Sequence, residues 1–313
     1  MKRLAIFAGY DKDNIIDDYV VYYIKELKKV ADIVYVCNCN MLESELDKIS
    51  NYCIHIINGE HGEFDFGSYK RGFIYVRNNK IIFDYDYLML INDSVFGPFF
   101  DLKTIVENME KKDLDAWAMF HCLFDHINIE HLQSYFISIK KKIFITQNFV
   151  YFMQSITKLD SKYDMIIHHE FGLTKFFLDN NYKIGGYFDS SNIKTENDNN
   201  LPFHKSEELI RNGFPFFKRS ILEPSLRLQT YNFTVDNWNN ILNTIENNYD
   251  INLIKNNIER VLNIDSNTLL PKIEQTTEDN ISKKDKCFKL FGLESNDKYQ
   301  TLYIFGIKIT IKR

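Results

Sequence analysis

Short apolar runs alternate with stretches of helical period through the first 91 residues, and few folds accept that order. Leu4-Ala5-Ile6-Phe7-Ala8 ends at Gly9, after which Tyr19, Val20, Tyr23, Ile24, Leu27 and Val30 recur at helical spacing. Ala31 to Val36 reads as a second buried strand, Ser44 to Ile49 as a short amphipathic helix, and Cys53 to Ile57 as a third strand closed by Asn58-Gly59. Tyr87-Leu88-Met89-Leu90-Ile91 is the most strand-like run of all. Apolar strands joined through helices belong to a sheet covered on both faces, because a parallel connection must cross the sheet. The expected fold class is therefore α/β, a mixed and mainly parallel sheet flanked by helices, with ligands at the carboxyl ends of its strands.

With 313 residues and 45% hydrophobic composition the chain can bury a large core. A net charge of −5 excludes a global basic field, so nucleic acid is not an expected partner. Five cysteines at scattered positions, with Cys37 and Cys39 one residue apart, fit neither zinc pairs nor a disulfide framework and point to a reducing compartment. The opening apolar run meets Gly9 and charged residues too early for a signal peptide, and no run of about 18 apolar residues occurs. The protein is expected in the cytoplasm.

Farther along, Leu102 to Met109 reads as helix, Asp115 to Phe120 as strand, Ile143 to Ser155 as helix, and residues 192–200 as a polar loop. Three parts are expected: 1–225 as the main domain, 226–264 as a helical extension, and 265–313 as linker and tail. In the tail, Leu290-Phe291-Gly292-Leu293 is echoed by Ile304-Phe305-Gly306-Ile307, which a β-hairpin explains. From Lys283 onward eight basic residues face three acids, so the tail is either a solvated hairpin or a contact for anionic lipid.

Four segments carry candidate chemistry. Asn92-Asp93-Ser94 ends a strand, where its oxygens can meet a diphosphate with a divalent cation, or where Asp93 merely caps the turn before Gly97-Pro98. The segment from Asn58 to Lys70, with Gly59, Gly62 and Gly67, enters a helix whose first amides suit a phosphate, with Lys70 or Arg71 adding charge; a plain tight turn explains it equally. Glu170 precedes the apolar stripe Leu173, Phe176, Phe177 and Leu178, so it is a helix-capping carboxylate or a general base for a hydroxyl. His131-Leu132-Gln133-Ser134-Tyr135-Phe136 alternates as a strand lining a cleft, or as an ordinary edge strand. Lys218 and Arg219, set beside aromatics, suit a diphosphate or lipid phosphate, whereas an isolated His204 is more often a surface or core residue.

In this order, Phe64-Asp65-Phe66-Gly67-Ser68-Tyr69-Lys70, Leu90-Ile91-Asn92-Asp93-Ser94-Val95-Phe96-Gly97-Pro98, the His131 to Phe136 segment and Gly213-Phe214-Pro215-Phe216-Phe217-Lys218-Arg219 resemble the rhamnan synthesis protein F family of bacterial polysaccharide glycosyltransferases. The resemblance runs from the first strand to about residue 225. It implies the Rossmann-like A-type glycosyltransferase fold, a nucleotide-sugar donor such as dTDP-rhamnose, and a glycan or polyprenyl-linked glycan acceptor. It implies work on capsule, O-antigen or a related lipopolysaccharide, at the inner face of the cytoplasmic membrane. His169-Glu170-Phe171-Gly172-Leu173 is similar to the Glu-Asp-x-x-Leu region of family 2 inverting transferases, which sets Glu170 on the catalytic base. The same register sets Asn92, Asp93 and Ser94 on the Asp-x-Asp positions, leaving Asp93 as the one carboxylate for Mg²⁺ or Mn²⁺; no organic cofactor is implied. By this resemblance Asp65, Gly67, Lys70, Asn92, Asp93 and Ser94 contact the donor. His131, Gln133, Tyr135 and His169 line the acceptor side, and His204, Lys218 and Arg219 neutralise phosphate. A sugar nucleotidyltransferase and a non-catalytic scaffold of a polysaccharide assembly complex are the competing readings.

Overall fold

A computed structural model describes every residue except 125–128, 161, 192–200, 223–234, 264–290, 296–298, 305–306 and 313. The expected polar loop, the boundary near 225 and the 265–286 linker lie outside the described residues, as does Cys287. Two compact units emerge, Met1–Asn192 and Ile193–Arg313.

The first unit opens with β1 (Arg3–Gly9), α1 (Asp18–Lys28), β2 (Asp32–Cys37), α2 (Glu43–Ser50), β3 (Cys53–Asn58), α3 (Phe64–Asn78) and β4 (Tyr87–Asn92). There follow β5 (Val95–Phe96), α4 (Leu102–Glu110), β6 (Ala116–Phe124), β7 (Ile129–Leu132) and β8 (Phe136–Lys140). The unit closes with α5 (Lys141–Phe144), α6 (Gln147–Ser155), α7 (Lys162–Met165), α8 (Gly172–Asp179) and β9 (Ile184–Asp189).

β3, β2, β1 and β4 lie side by side and parallel, then β8 enters antiparallel between β4 and β6. Ala116 of β6 is opposite Ile139 and Ile184, and His121 is opposite Leu132 and Asp189, so β7 and β8 share one edge of β6 while β9 runs parallel on the other. The expected mixed, mainly parallel sheet is what the chain forms. The central strands β1 and β4 are covered on both faces, which is why they are apolar: all six residues of β4 are buried, whereas β3 at the edge keeps Ile54 exposed. Along β1, Leu4, Ile6 and Ala8 join a core with Tyr69, Phe73 and Val76 of α3 and Phe149 of α6, whereas Phe7 meets Tyr23 of α1 edge-on at 5.3 Å on the opposite face. Helix α3 crosses β1 so closely that a Cβ at Gly72 would fall 2.5 Å from Ile6 Cγ2.

Two expectations are corrected. The helix expected over 143–155 is two, because Thr146 accepts the Phe149 amide and starts α6 afresh after α5. The single cleft-lining strand from His131 to Phe136 is broken at Gln133–Tyr135, where the chain leaves the β7 pairing and re-enters the sheet as β8. The Gln133 amide donates to Phe120 O at 3.1 Å and the Asn92 amide to Tyr135 O at 3.1 Å, so the break is itself pinned to β6 and to the end of β4.

In the second unit, α9 (Leu201–His204), α10 (Ser206–Arg211) and β10 (Phe217–Lys218) precede α11 (Val235–Ile245) and α12 (Asn252–Leu262). Glu207 of α10 accepts from Asn237 Nδ2 at 2.6 Å and Asn240 Nδ2 at 3.0 Å of α11. At the end, β11 (Phe291–Ser295), β12 (Tyr299–Ile304) and β13 (Ile307–Lys312) form an antiparallel meander. The echoed segments do pair, Phe291 opposite Ile304, and Ile307 to Lys312 continues the period-2 pattern as a third strand beyond the expected hairpin. Among the described residues no helix is long and apolar enough to cross a membrane.

Candidate active site

At the carboxyl ends of β1 to β4, short polar side chains tie the strand ends together. Asp93 Oδ2 accepts the Tyr10 amide at 3.0 Å and Asp93 O accepts the Tyr19 hydroxyl at 3.0 Å, joining the end of β4 to the loop after β1 and to α1. Asn92 Oδ1 accepts both the amide (3.1 Å) and the hydroxyl (2.7 Å) of Ser94, while Asn92 Nδ2 donates to Asp65 Oδ2 at 2.9 Å. The triplet is thus a turn with Asp65, from the first turn of α3, fastened beside it. Such a set does not make a divalent cation site by itself: it offers one strand-end carboxylate, already bonded to a backbone amide. Among the described residues no three His, Cys, Asp or Glu side chains come together for a metal.

Asn38, at the end of β2, has a part that sequence reasoning missed. Its Oδ1 accepts the amides of His61 (2.9 Å) and Gly62 (2.8 Å) and so holds the loop that leads into α3. An Asn directly after a buried strand was the available signal, and it reads as an ordinary turn residue. Gly67 and Lys70, expected to face a phosphate, are spent inside the protein. Gly67 lies within α3, its amide bonds Glu63 O at 3.0 Å, and a Cβ there would sit 2.3 Å from Glu63 Cβ and 2.8 Å from His61 Nδ1. Lys70 Nζ donates to Ile156 O at 2.7 Å, and Arg71 pairs with Glu63.

His61 is locked in this loop as a neutral ring, since Nδ1 accepts the Glu63 amide at 3.2 Å and Nε2 is left to donate to Ser68 Oγ at 3.0 Å. Burial, aided by the Arg71 charge, pushes the imidazole down to about 4 from 6.5. Between those values the unfolded chain binds a proton that the folded chain refuses, so this contribution is complete above about pH 6.5 and is lost as pH falls toward 4. Thermal melts from pH 7 to 4 are expected to lose about 2–3 kcal/mol through this group, and His61→Gln is expected to flatten that part of the profile.

Glu170 lies on the other side of Tyr69. The sequence sets it at or near a helix start; in the structure α7, a π-helical turn over Ile166–Phe171 and α8 run on as one helix, with Glu170 in the π turn. Capping is therefore not its role. Wide turns of this kind recur where a helix must aim a side chain. Its Oε1 is 2.5 Å from His131 Nε2 and 3.4 Å from the Ser134 amide, and its Oε2 accepts the Ser134 hydroxyl at 2.9 Å. The His131 ring lies flat on Phe171, 4.2 Å between centroids and 7° from parallel. Tyr69 donates to Ser134 O at 2.9 Å, so α3, the β7–β8 break and the π turn meet at one carboxylate. Burial first, then the charges of Asp65 and Glu170, hold the Tyr69 hydroxyl well above its ordinary value.

Of the four residues expected along the acceptor side, His131 bonds Glu170. Gln133 is buried with Nε2 3.3 Å from Cys122 Sγ, and Tyr135 is fully enclosed. His169 is buried against Phe66, its Nε2 3.2 Å from Thr157 O. His121, which sequence reasoning passed over, ends the part of β6 paired with β9, opposite Asp189, with Nε2 3.1 Å from Glu130 Oε2. His204 ends α9, Lys218 Nζ stands 5.6 Å over the Phe203 ring, and Arg219 opens a 3-10 turn, all in the second unit.

Among known proteins, an uncharacterized protein of Sinorhizobium fredii, y4gN, is 26% identical over 175 residues, covering 56% of this chain and 45% of its own. The virulence protein VirA of Vibrio anguillarum is 28% identical over 183 residues, covering 56% of each chain. This chain spans about half the length of the curated relatives it matches. Among solved structures, S. aureus TarS in complex with UDP is similar over 99% of this chain and 98% of its own, with 12% identity and a TM-score of 0.41. The family described as rhamnan synthesis protein F matches residues 33–291, which takes in β2 to β4, the strand-end triplet, the β7–β8 break and the π turn, and the chain belongs to that family.

Proposed function

We propose that the chain is an inverting glycosyltransferase that moves a sugar from a nucleotide-sugar donor to a glycan or lipid-linked glycan in the synthesis of a bacterial cell-surface polysaccharide. One observation carries the reading. Glu170 is held by Ser134, and the neighbouring Tyr135 carbonyl accepts the Asn92 amide, so a fixed carboxylate lies beside the Asn92-Asp93-Ser94 turn at the carboxyl end of β4, in a mainly parallel sheet. That edge is where such sheets take their ligands.

In a single displacement the acceptor hydroxyl loses its proton to Glu170 as its oxygen bonds to the anomeric carbon. The bond from that carbon to the diphosphate breaks on the opposite face through an oxocarbenium-like state, and the nucleoside diphosphate departs with the electron pair. Asp65, Asn92, Asp93 and Ser94 hold the donor, and Gly67 and Lys70 support the loop beside it; His204, Lys218 and Arg219, which belong to the second unit, are by their charge suited to a phosphate. A rhamnosyl donor agrees with the family's description, and a tail of net positive charge suits an anionic membrane.

The test is nucleoside diphosphate release from dTDP-, UDP- and GDP-sugars, with and without Mg²⁺ or Mn²⁺, alongside binding heats for the same panel. Release from one donor is the expected result. Pyrophosphate release from a nucleoside triphosphate would favour a nucleotidyltransferase instead, and an absence of donor binding across the panel would favour a scaffold.

A further inference from the structure

We infer that His131 is a positioning residue for the base: it acts through Glu170, keeping that carboxylate ionised and aimed, and does not line the acceptor site. This rests on the glycosyltransferase reading above. The Glu170 side chain is 18% exposed and that of His131 5%, so of the two groups the carboxylate is the more open to solvent and the imidazole the more enclosed. A carboxylate in such a place has a difficulty of its own. It is largely removed from water, and Asp65 and Asp93 are near enough that their charges act on the same Tyr69 ring as Glu170 does. A protonated acid cannot accept a proton, so a base in this place needs hydrogen-bond donors on its carboxylate to stand in for water.

Donors from three atoms answer that difficulty. An ionised carboxylate only accepts, so at 2.5 Å His131 Nε2 carries the shared proton and donates it to Oε1, while Ser134 supplies its hydroxyl to Oε2 and its amide toward Oε1. The ring cannot swing away, because Phe171 stacks on its face and the Leu132 amide that follows it is tied to Thr174 Oγ1 at 3.1 Å. Phe171 and Thr174 belong to the same helix as Glu170, so the helix that presents the base also clamps the group that orients it. During transfer the acceptor's proton goes to Glu170 and His131 keeps its own.

Two measurements test this. In the protein labelled with ¹⁵N at histidine, one Nε2–H proton is expected far downfield, absent in His131→Gln and moved upfield in Glu170→Gln; no such signal would overturn the inference whatever the donor proves to be. With a donor that turns over, His131→Ala is expected to lower kcat by roughly 10- to 100-fold with KM little changed, and His131→Gln to recover most of it by offering an amide donor. In the Glu170→Gln background, removing His131 is expected to cost nothing further, since a residue that acts only through another is not additive with it. Full kcat in His131→Ala, or equal added losses in both backgrounds, would overturn the inference while leaving Glu170 as base. Full activity in Glu170→Gln itself would instead remove the reading beneath it.

Discussion

Glu170→Gln is expected to lower turnover by roughly 10²–10⁴-fold while leaving donor affinity within about twofold, read as kcat and as the binding heat of the donor. The substitution is nearly isosteric, so the Phe171 stack and the π turn have no reason to move. An amide oxygen still accepts from His131 or Ser134, but an amide does not take up an acceptor proton. Glu170 is fastened to His131 and Ser134, whereas Asp65 and Asn92 are bonded to each other, so the substitution leaves the Asp65–Asn92 hydrogen bond, on the proposed donor side, in place. Loss of donor binding in this variant would mean that the carboxylate belongs to the donor half. Near-normal turnover would remove it from the chemistry.

How legible this site was in the sequence depended on how local its contacts are. The strands β1, β2 and β4 were plain because burial on both faces makes each a nearly continuous apolar run, and β4 has no polar residue before Asn92. The break at Gln133–Tyr135 was not, because polar and apolar residues keep alternating through it and a period of two reads straight across. The π turn was hidden for a related reason: one added residue in a helical turn changes no side chain's polarity. Glu170 was marked by resemblance, but its partners lie 39 and 36 residues away, and nothing in the spacing announces His131 or Ser134 as its donors.

Glycine misled in an instructive way. A glycine in a loop before a helix suggests a backbone open to phosphate, and Gly67 fits that description until the helix is seen to begin at Phe64. Its missing Cβ makes room for Glu63 and the His61 ring instead, so it shapes the loop that Asn38 holds. The strand-end asparagines were equally ambiguous, since an Asn that braces a site and an Asn that merely turns the chain look alike without their partners.

The second large effect lies at the opposite end of the sheet. Arg3 opens β1 and meets Glu110 at the end of α4 in a bidentate pair, Nε to Oε1 at 2.6 Å and Nη2 to Oε2 at 2.7 Å, with Nη1 on Val30 O at 3.2 Å. The Glu110 side chain is 1% exposed and that of Arg3 11%, and the hydrogen bond to Glu110 holds the guanidinium above its ordinary range. Glu110→Ala is expected to cost about 3–5 kcal/mol, because it leaves a guanidinium largely out of water without its bidentate carboxylate. For a unit of this size that is a fall of roughly 6–20 °C in Tm, insensitive to salt because the pair is shielded from solvent. The double variant Arg3→Met with Glu110→Leu is expected to recover most of the loss, since apolar groups of similar volume need no partner. If the double variant is as unstable as the single one, the pair's value lies in its geometry and not in the charge left behind. Turnover below the melting range is expected to be unchanged in either variant: the seven residues of β1 separate Arg3 from the catalytic edge by about 20 Å, so the sheet's anchoring and its chemistry sit at opposite ends of the same strand.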